Sequence, residues 1–218
     1  PIHPYGFIIA GASVRHVHCG PGVDTLAEFE RAVAASPVKP KAMVLNFPNN
    51  PTAEVVDLAF YEEVVDFARH QDIYILSDLA YAEIYFDTDP PPSILQVPAA
   101  RDIAVEFTSL SKTYSMPGWR IGFAAGNKRL IRALTRIKSY LDYGAFTPIQ
   151  VAATAALNGP QDCVDEIRQT YKGRRDVLIE GFEQAGWSVP SPPATMFAWA
   201  PVPEPFKEQG SMGFSKLL

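Results

Sequence analysis

Short apolar runs alternate with longer amphipathic stretches along most of this chain. Ala42-Met-Val-Leu-Asn-Phe47, Ile73-Tyr-Ile-Leu76 and Ile103-Ala-Val-Glu-Phe107 have the length and continuity of buried strands. Between the first two, Asp57 can cap a helix running to about Gln71, with Leu58, Tyr61, Val64, Val65 and Ala68 on one face. Upstream, Thr25-Leu-Ala-Glu28 has the form of a capping box and opens a helix ending near Ser36-Pro37. Downstream, the pattern predicts a strand at Arg120-Ile-Gly-Phe-Ala-Ala125 and a helix from an Asn127 cap to about Tyr140. Two more helices are expected near 148–158 and 161–185. Such alternation predicts an α/β protein with a layered, mostly parallel sheet.

Beyond Gly186 the pattern changes. Trp187-Ser-Val189 and Met196-Phe-Ala-Trp-Ala200 read as strands around a Pro-rich turn. Residues 1–185 are therefore expected to form one large domain, including its long last helix, and 186–218 the start of a smaller α+β domain. Phe214 to Leu218 resembles the middle of an amphipathic helix, and Pro1 opens the chain without a methionine, so a fragment lacking both ends is expected. Cys19 and Cys163 are too few and too far apart for a disulfide framework and are expected as buried or half-buried thiols. A formal charge of −5, with basic residues unclustered, gives no electrostatic reason to expect nucleic acid or an anionic membrane as partner. No apolar run approaches the roughly 20 residues of a membrane span, and no signal segment opens the chain. A cytoplasmic protein is the expectation.

In open α/β sheets, ligands collect beyond the carboxyl ends of the strands. Asn50, Asp78 and Lys112 each stand just past such an end. Lys112 lies in the loop Ser109-Leu-Ser-Lys-Thr-Tyr-Ser-Met-Pro-Gly-Trp-Arg-Ile-Gly122. It is either a loop lysine facing water or a Schiff-base lysine, whose amine must be partly desolvated or near another cation such as Arg120. Ser109 and Ser111 are placed to donate hydrogen bonds to an anion. Asp78 is either a helix cap or a carboxylate that keeps a pyridine nitrogen protonated. Tyr81 is either a core aromatic or a hydrogen-bond partner of a phenolate oxygen. Asn46-Phe-Pro-Asn-Asn50-Pro-Thr52 is a turn, to which a ligand role for Asn50 would add. Arg168, Arg174 and Arg175 read as the solvated face of the long helix.

In this order and at these separations, the three segments resemble the signature of fold-type I pyridoxal-phosphate aminotransferases of class I/II, over essentially the whole chain. The resemblance implies an aspartate aminotransferase-like large domain with a three-layer, mostly parallel sheet, followed by a small α+β domain. It implies pyridoxal 5′-phosphate as cofactor and no metal. Lys112 would form the Schiff base and shuttle the proton between substrate and cofactor. Asp78 would pair with the pyridine nitrogen, Tyr81 and Asn50 with the ring oxygen, and Ser109 and Arg120 with the phosphate, beside Ser111. The reaction implied is ping-pong transfer of an amino group between an L-amino acid and a 2-oxo acid, in a homodimer.

Pro1 to Gly11, Ser109 to Gly122 and Ile137 to Gly144 look most like the bacterial alanine (glutamate–pyruvate) branch. That points to alanine and 2-oxoglutarate. The LL-diaminopimelate and aspartate/methionine branches are similar too, and a β-lyase or synthase on the same fold, or a ligand-sensing module, are the other readings. Asn50-Pro-Thr-Ala53 departs from the family's Asn-Pro-Thr-Gly, a change expected to be tolerated. Family members are close to twice this length. Their phosphate loop and ring-stacking aromatic would precede Pro1, and the arginine for the substrate carboxylate would follow Leu218. A fragment without them is expected to turn over poorly.

Overall fold

The computed structural model describes residues 2–20 and 22–218. Four strands form one sheet: β1 (Ala42–Asn46), β2 (Tyr74–Asp78), β3 (Ala104–Ser109) and β4 (Gly122–Gly126), in the order β1-β2-β3-β4. The first three are parallel and β4 returns antiparallel to β3. Among the described residues, eight α-helices accompany them: α1 (Ile2–Ile9), α2 (Thr25–Ala34), α3 (Leu58–His70), α4 (Leu110–Thr113), α5 (Lys128–Leu141), α6 (Thr147–Asn158), α7 (Asp162–Gln184) and α8 (Gly210–Ser215). The expected α/β class with a mostly parallel sheet is thus observed.

The core lies on one face of the sheet. Burial alternates along β1 and β2, so that Met43, Leu45, Ile75 and Ser77 are buried and their neighbours half-buried, as successive side chains point to opposite faces. α3 covers the buried face. Asp57 Oδ1 accepts the Phe60 N–H at 2.9 Å and fixes the start of that helix. Tyr61, Val64, Val65 and Ala68 then recur at helical spacing and are fully buried. Val64 and Val65 each contribute about 1.5–3 kcal/mol by leaving water. Among the described residues, one acidic side chain sits inside this core. Glu106 on β3 is 5% exposed and accepts from Ser77 Oγ at 3.2 Å, Ser93 Oγ at 2.6 Å and the Ile94 N–H at 3.0 Å.

Several local expectations need correction. The cap of α2 is Asp24, whose Oδ1 accepts the Ala27 N–H at 3.0 Å; Thr25 is already helical and buried. An acid one residue earlier offered the better acceptor. β4 begins at Gly122, because Arg120 turns into the left-handed region at φ 51°. Trp187–Val189 and Met196–Ala200 are not strands. The only ladder contact that the described residues make there is an isolated antiparallel bridge, Tyr85 to Ala194. Cys19 and Cys163 are exposed rather than buried. The Phe214–Leu218 end is not mid-helix, since α8 closes at Ser215.

Two of the three arginines of α7 expected on a solvated face are not solvated. Arg168 and Arg175 keep 18% and 10% of their side chains exposed. Arg168 pairs with Glu83 at 3.2 Å and Asp165 at 2.8 Å, with its guanidinium 4.1 Å from the Tyr85 ring centroid. Arg175 pairs with Asp87 at 2.7 Å and lies 5.0 Å from the Phe86 ring centroid. Lys172 joins it on Asp87 at 2.5 Å, and these two donors hold the Asp87 carboxyl below the usual range. Helical spacing showed which residues share a face but not that the 83–87 segment would lie on it. Arg174 is exposed as expected, 5.4 Å from the Tyr171 ring centroid. Pro1, the first residue of the Pro1 to Gly11 segment, lies outside the described residues.

Candidate active site

The carboxyl ends of β1 and β2 stop in register, Asn46 opposite Asp78, while β3 pairs Phe107 with Asp78 and continues to Ser109. This step in the sheet edge is where the candidate residues gather. Asn46 is its hinge. Its Nδ2 donates to the Asp78 carbonyl at 3.1 Å, and its Oδ1 accepts the Asn50 N–H at 3.0 Å. Asn49 Oδ1 accepts both the Thr52 N–H at 3.1 Å and the Thr52 hydroxyl at 2.8 Å. The turn that sequence predicted is therefore tied by its own side chains, and it aims Asn50 Nδ2 at the Tyr81 hydroxyl at 3.4 Å.

Ala53 closes that turn at φ 61° and is 1% exposed. A left-handed backbone costs a residue with a Cβ about 1–2 kcal/mol. Its buried methyl returns about 0.8 kcal/mol, and glycine would lose another 0.4–1 kcal/mol or so through its freer unfolded chain. These terms offset one another, which accounts physically for alanine here. Ala53→Gly is expected to move stability by less than about 1 kcal/mol in urea denaturation. A change beyond twice that would show that the turn is not held as described.

Asp78 caps no helix. Its Oδ1 accepts the Ala80 N–H at 3.2 Å, and its Oδ2 lies 2.8 Å from His3 Nε2. Each carboxylate oxygen keeps a second lone pair for another partner. Tyr81 is buried, and burial raises its phenol above the ordinary value; Asn50 opposes that shift and Asp78 adds to it. Lys112 is half-buried on α4, with Nζ 5.8 Å from the Tyr81 ring centroid. From the other direction Phe197 meets the same ring edge-on, centroids 5.6 Å apart at 74°.

Ser109 caps α4, its Oγ accepting the Ser111 N–H at 3.2 Å. Ser109, Ser111, Arg120, Ile121 and Gly122 line a small hollow of about 200 Å³. Arg120 is exposed, and its Nη1 donates to the Pro117 carbonyl at 3.0 Å. Gly122 is required there, since a Cβ would stand 2.4 Å from the Thr108 carbonyl oxygen. A larger open hollow of about 610 Å³, lined by Arg101, Lys128, Arg129 and Arg132 among others, shares no residue with this region.

The structure thus brings Asn50, Asp78, Tyr81 and Lys112 to one sheet edge, with Ser109, Ser111 and Arg120 around the adjoining turn. Sequence reasoning missed His3 and Phe197. His3 stands in an apolar opening segment with no partner visible along the chain, and Phe197 was absorbed into an expected strand. Only the long-range contacts reveal them.

The pattern of the family described as aminotransferase class I and II matches residues 1–215. The chain is 61% identical to AatC of Rhizobium meliloti, over all of this chain and 54% of that protein. It is 57% identical to the glutamate-pyruvate aminotransferase AlaC of Escherichia coli, over all of this chain and 53% of that protein. It therefore spans about half the length of these curated relatives. Among solved structures it is similar to apo BacF of Bacillus subtilis, with TM-score 0.80 and 36% identity over 87% of this chain and 50% of that one. A double mutant of Thermus thermophilus aspartate aminotransferase matches with TM-score 0.80 and 30% identity, over 88% and 50% of the two chains. Among the described residues no helix is long and apolar enough to cross a membrane. By sequence pattern and fold together, the chain belongs to the class I and II aminotransferase family.

Proposed function

We propose that these residues form the cofactor-holding part of a pyridoxal 5′-phosphate-dependent aminotransferase that moves the amino group of alanine to 2-oxoglutarate. The observation that carries this reading is the Lys112 ammonium over the buried Tyr81 ring, at the sheet edge that also presents Asp78. The donor set fits the cofactor. Two hydroxyls and a guanidinium around one hollow suit a phosphate. A carboxylate suits a protonated ring nitrogen, and an amine suits an aldehyde carbon.

When bound, pyridoxal phosphate supplies an electron sink for the bond broken at the substrate α-carbon. Lys112 Nζ would hold the cofactor through its aldehyde carbon and would be the base that takes up and returns the substrate α-proton. Asp78 would keep the proton on the ring nitrogen. His3 at Oδ2 and the Ala80 N–H at Oδ1 stop that carboxylate from rotating away. Tyr81 and Asn50 would direct hydrogen bonds to the ring oxygen, while Ser109, Ser111 and Arg120 would hold the phosphate. Donor and acceptor take turns at one site, so the kinetics are ping-pong.

The choice of alanine is supported by the 57% identity to a relative named for glutamate and pyruvate, against 43% to the LL-diaminopimelate aminotransferase of Moorella thermoacetica. The enzyme is read as a cytoplasmic homodimer. Ile137, Tyr140, Leu141, Tyr143 and Phe146, all exposed, supply an apolar face for a partner to cover. Residues 1–185 are read as the cofactor-binding domain and 186–218 as the start of a second, in keeping with the contacts that Trp187 and Phe206 each make to Phe214.

The test uses a polypeptide containing these residues, incubated with pyridoxal phosphate, reduced with borohydride and mapped by mass spectrometry. The cofactor mass is expected on Lys112, and alanine with 2-oxoglutarate is expected to give pyruvate and glutamate. A reduced adduct on another lysine rejects the assignment.

A further inference from the structure

Phe197 reaches Tyr81 from a stretch far along the chain, and that stretch is firmly held. The Phe86 N–H donates to the Pro193 carbonyl at 2.7 Å, and the Thr195 N–H donates to the Ile84 carbonyl at 2.8 Å. Ala194 between them is fully buried, and the buried Thr195 sits at φ 69°. The Thr195 hydroxyl then accepts the Phe197 N–H at 3.2 Å and sets the direction in which that side chain leaves the backbone. The anchor for all this, residues 84–86, follows Tyr81 by only a few positions. Tyr81 thus has Lys112 Nζ near its ring, Asn50 at its hydroxyl and the Phe197 ring against it at 74°.

We infer that Phe197 is a positioning residue, whose edge-to-face contact holds the Tyr81 ring plane so that the hydroxyl stays directed at the site, making residues 193–197 part of that site. χ1 places the tyrosine oxygen and χ2 turns the ring plane in which its O–H and lone pairs are directed, and an aromatic partner across the ring restrains both. This inference rests on the proposed function for its consequence in the loaded enzyme, but the contact itself does not depend on a cofactor.

The test compares Phe197→Leu, which keeps apolar bulk but removes the ring, with Phe197→Tyr, which keeps the ring. Trp187→Leu is the control. It disturbs the Phe182 and Phe214 contacts of the same C-terminal stretch without touching Tyr81. The first readout is the ionisation of Tyr81 in cofactor-free protein, followed by NMR of labelled tyrosine and assigned with Tyr81→Phe. Phe197→Leu is expected to lower that pKa by about half a unit, a roughly threefold change, because water reaches a ring that burial had protected. Phe197→Tyr and Trp187→Leu are expected to leave it in place. The second readout is the pH midpoint of the visible absorbance of the Lys112-bound cofactor, expected to rise in Phe197→Leu by about the same amount as the hydrogen bond to the ring oxygen weakens. An unmoved Tyr81 in Phe197→Leu, or an equal shift in Trp187→Leu, overturns the inference. A shifted Tyr81 in a protein that forms no Lys112 band in any variant leaves Phe197 as a positioning residue and rejects the cofactor reading instead.

Discussion

If the proposed role of Lys112 holds, Lys112→Ala is expected to reduce amino transfer by a factor on the order of 10⁴ or more, since positioned proton transfer alone contributes about 10²–10⁴-fold and the covalent hold on the cofactor would be lost with it. The size of this effect does not come from damage to the fold. Lys112 is half-buried on a four-residue helix, and alanine is the best helix former. The contact given up, an ammonium 5.8 Å from the Tyr81 centroid, is worth about 0.5–1 kcal/mol at a partly exposed site. Stability should therefore change little while turnover collapses. Two measurements separate this from trivial inactivation. The urea midpoint should stay near that of the unsubstituted protein, and a small primary amine added to the assay should restore part of the lost rate by standing in for Nζ. Turnover within tenfold of the original would mean that another group moves the proton.

The two levels at which the chain could be read differ in what made them legible. α3 was readable almost residue by residue, because its cap at Asp57 and its buried face at Tyr61, Val64, Val65 and Ala68 are local patterns with a fixed period. β1, β2 and β3 were readable for the same reason, within a residue or two at each end. The candidate residues Asn50, Asp78 and Lys112 were placed by the general rule that ligands meet the carboxyl ends of parallel strands, and the register of Asn46 with Asp78 supplies that edge. What local pattern could not give was pairing between distant segments. Arg175 looked like a surface residue because nothing near it in sequence announces Asp87. His3 looked apolar-segment filler because Asp78 lies 75 positions away. Met196 to Ala200 has the apolar run of a strand but pairs with none; the bridge nearby is at Ala194, and Phe197 packs against Tyr81 instead of joining a ladder.

Glu106 is the clearest case of a residue whose importance no motif advertised, and removing it should cost the most stability. Its carboxylate stands in the core with three donors converging on it, from Ser77, Ser93 and the Ile94 backbone. Substitution by alanine strands all three donors, each worth about 1–3 kcal/mol when left unpaired in the interior. Partial relaxation of the exposed end at Ser93 lowers the sum, so Glu106→Ala is expected to cost about 3–5 kcal/mol, the range for breaking a buried charged network from one side. The urea midpoint checks this, and a loss below about 1 kcal/mol would mean that water replaces the carboxylate freely. The same network carries a pH signature. Burial, and secondarily the Glu106 charge, push the Tyr61 phenol well above its ordinary value. A phenol held protonated in the fold contributes its full stability below about pH 10, and that contribution is lost as pH rises beyond it, because the unfolded chain ionises first. Removing Glu106 takes away one of the two causes. The alkaline loss of stability in Glu106→Ala should therefore level off at a lower pH and total less than in the unsubstituted protein, even though the variant is less stable at every pH. A merely cavity-forming substitution, such as Val64→Ala in the same core, would lower stability without moving the pH at which that loss levels off.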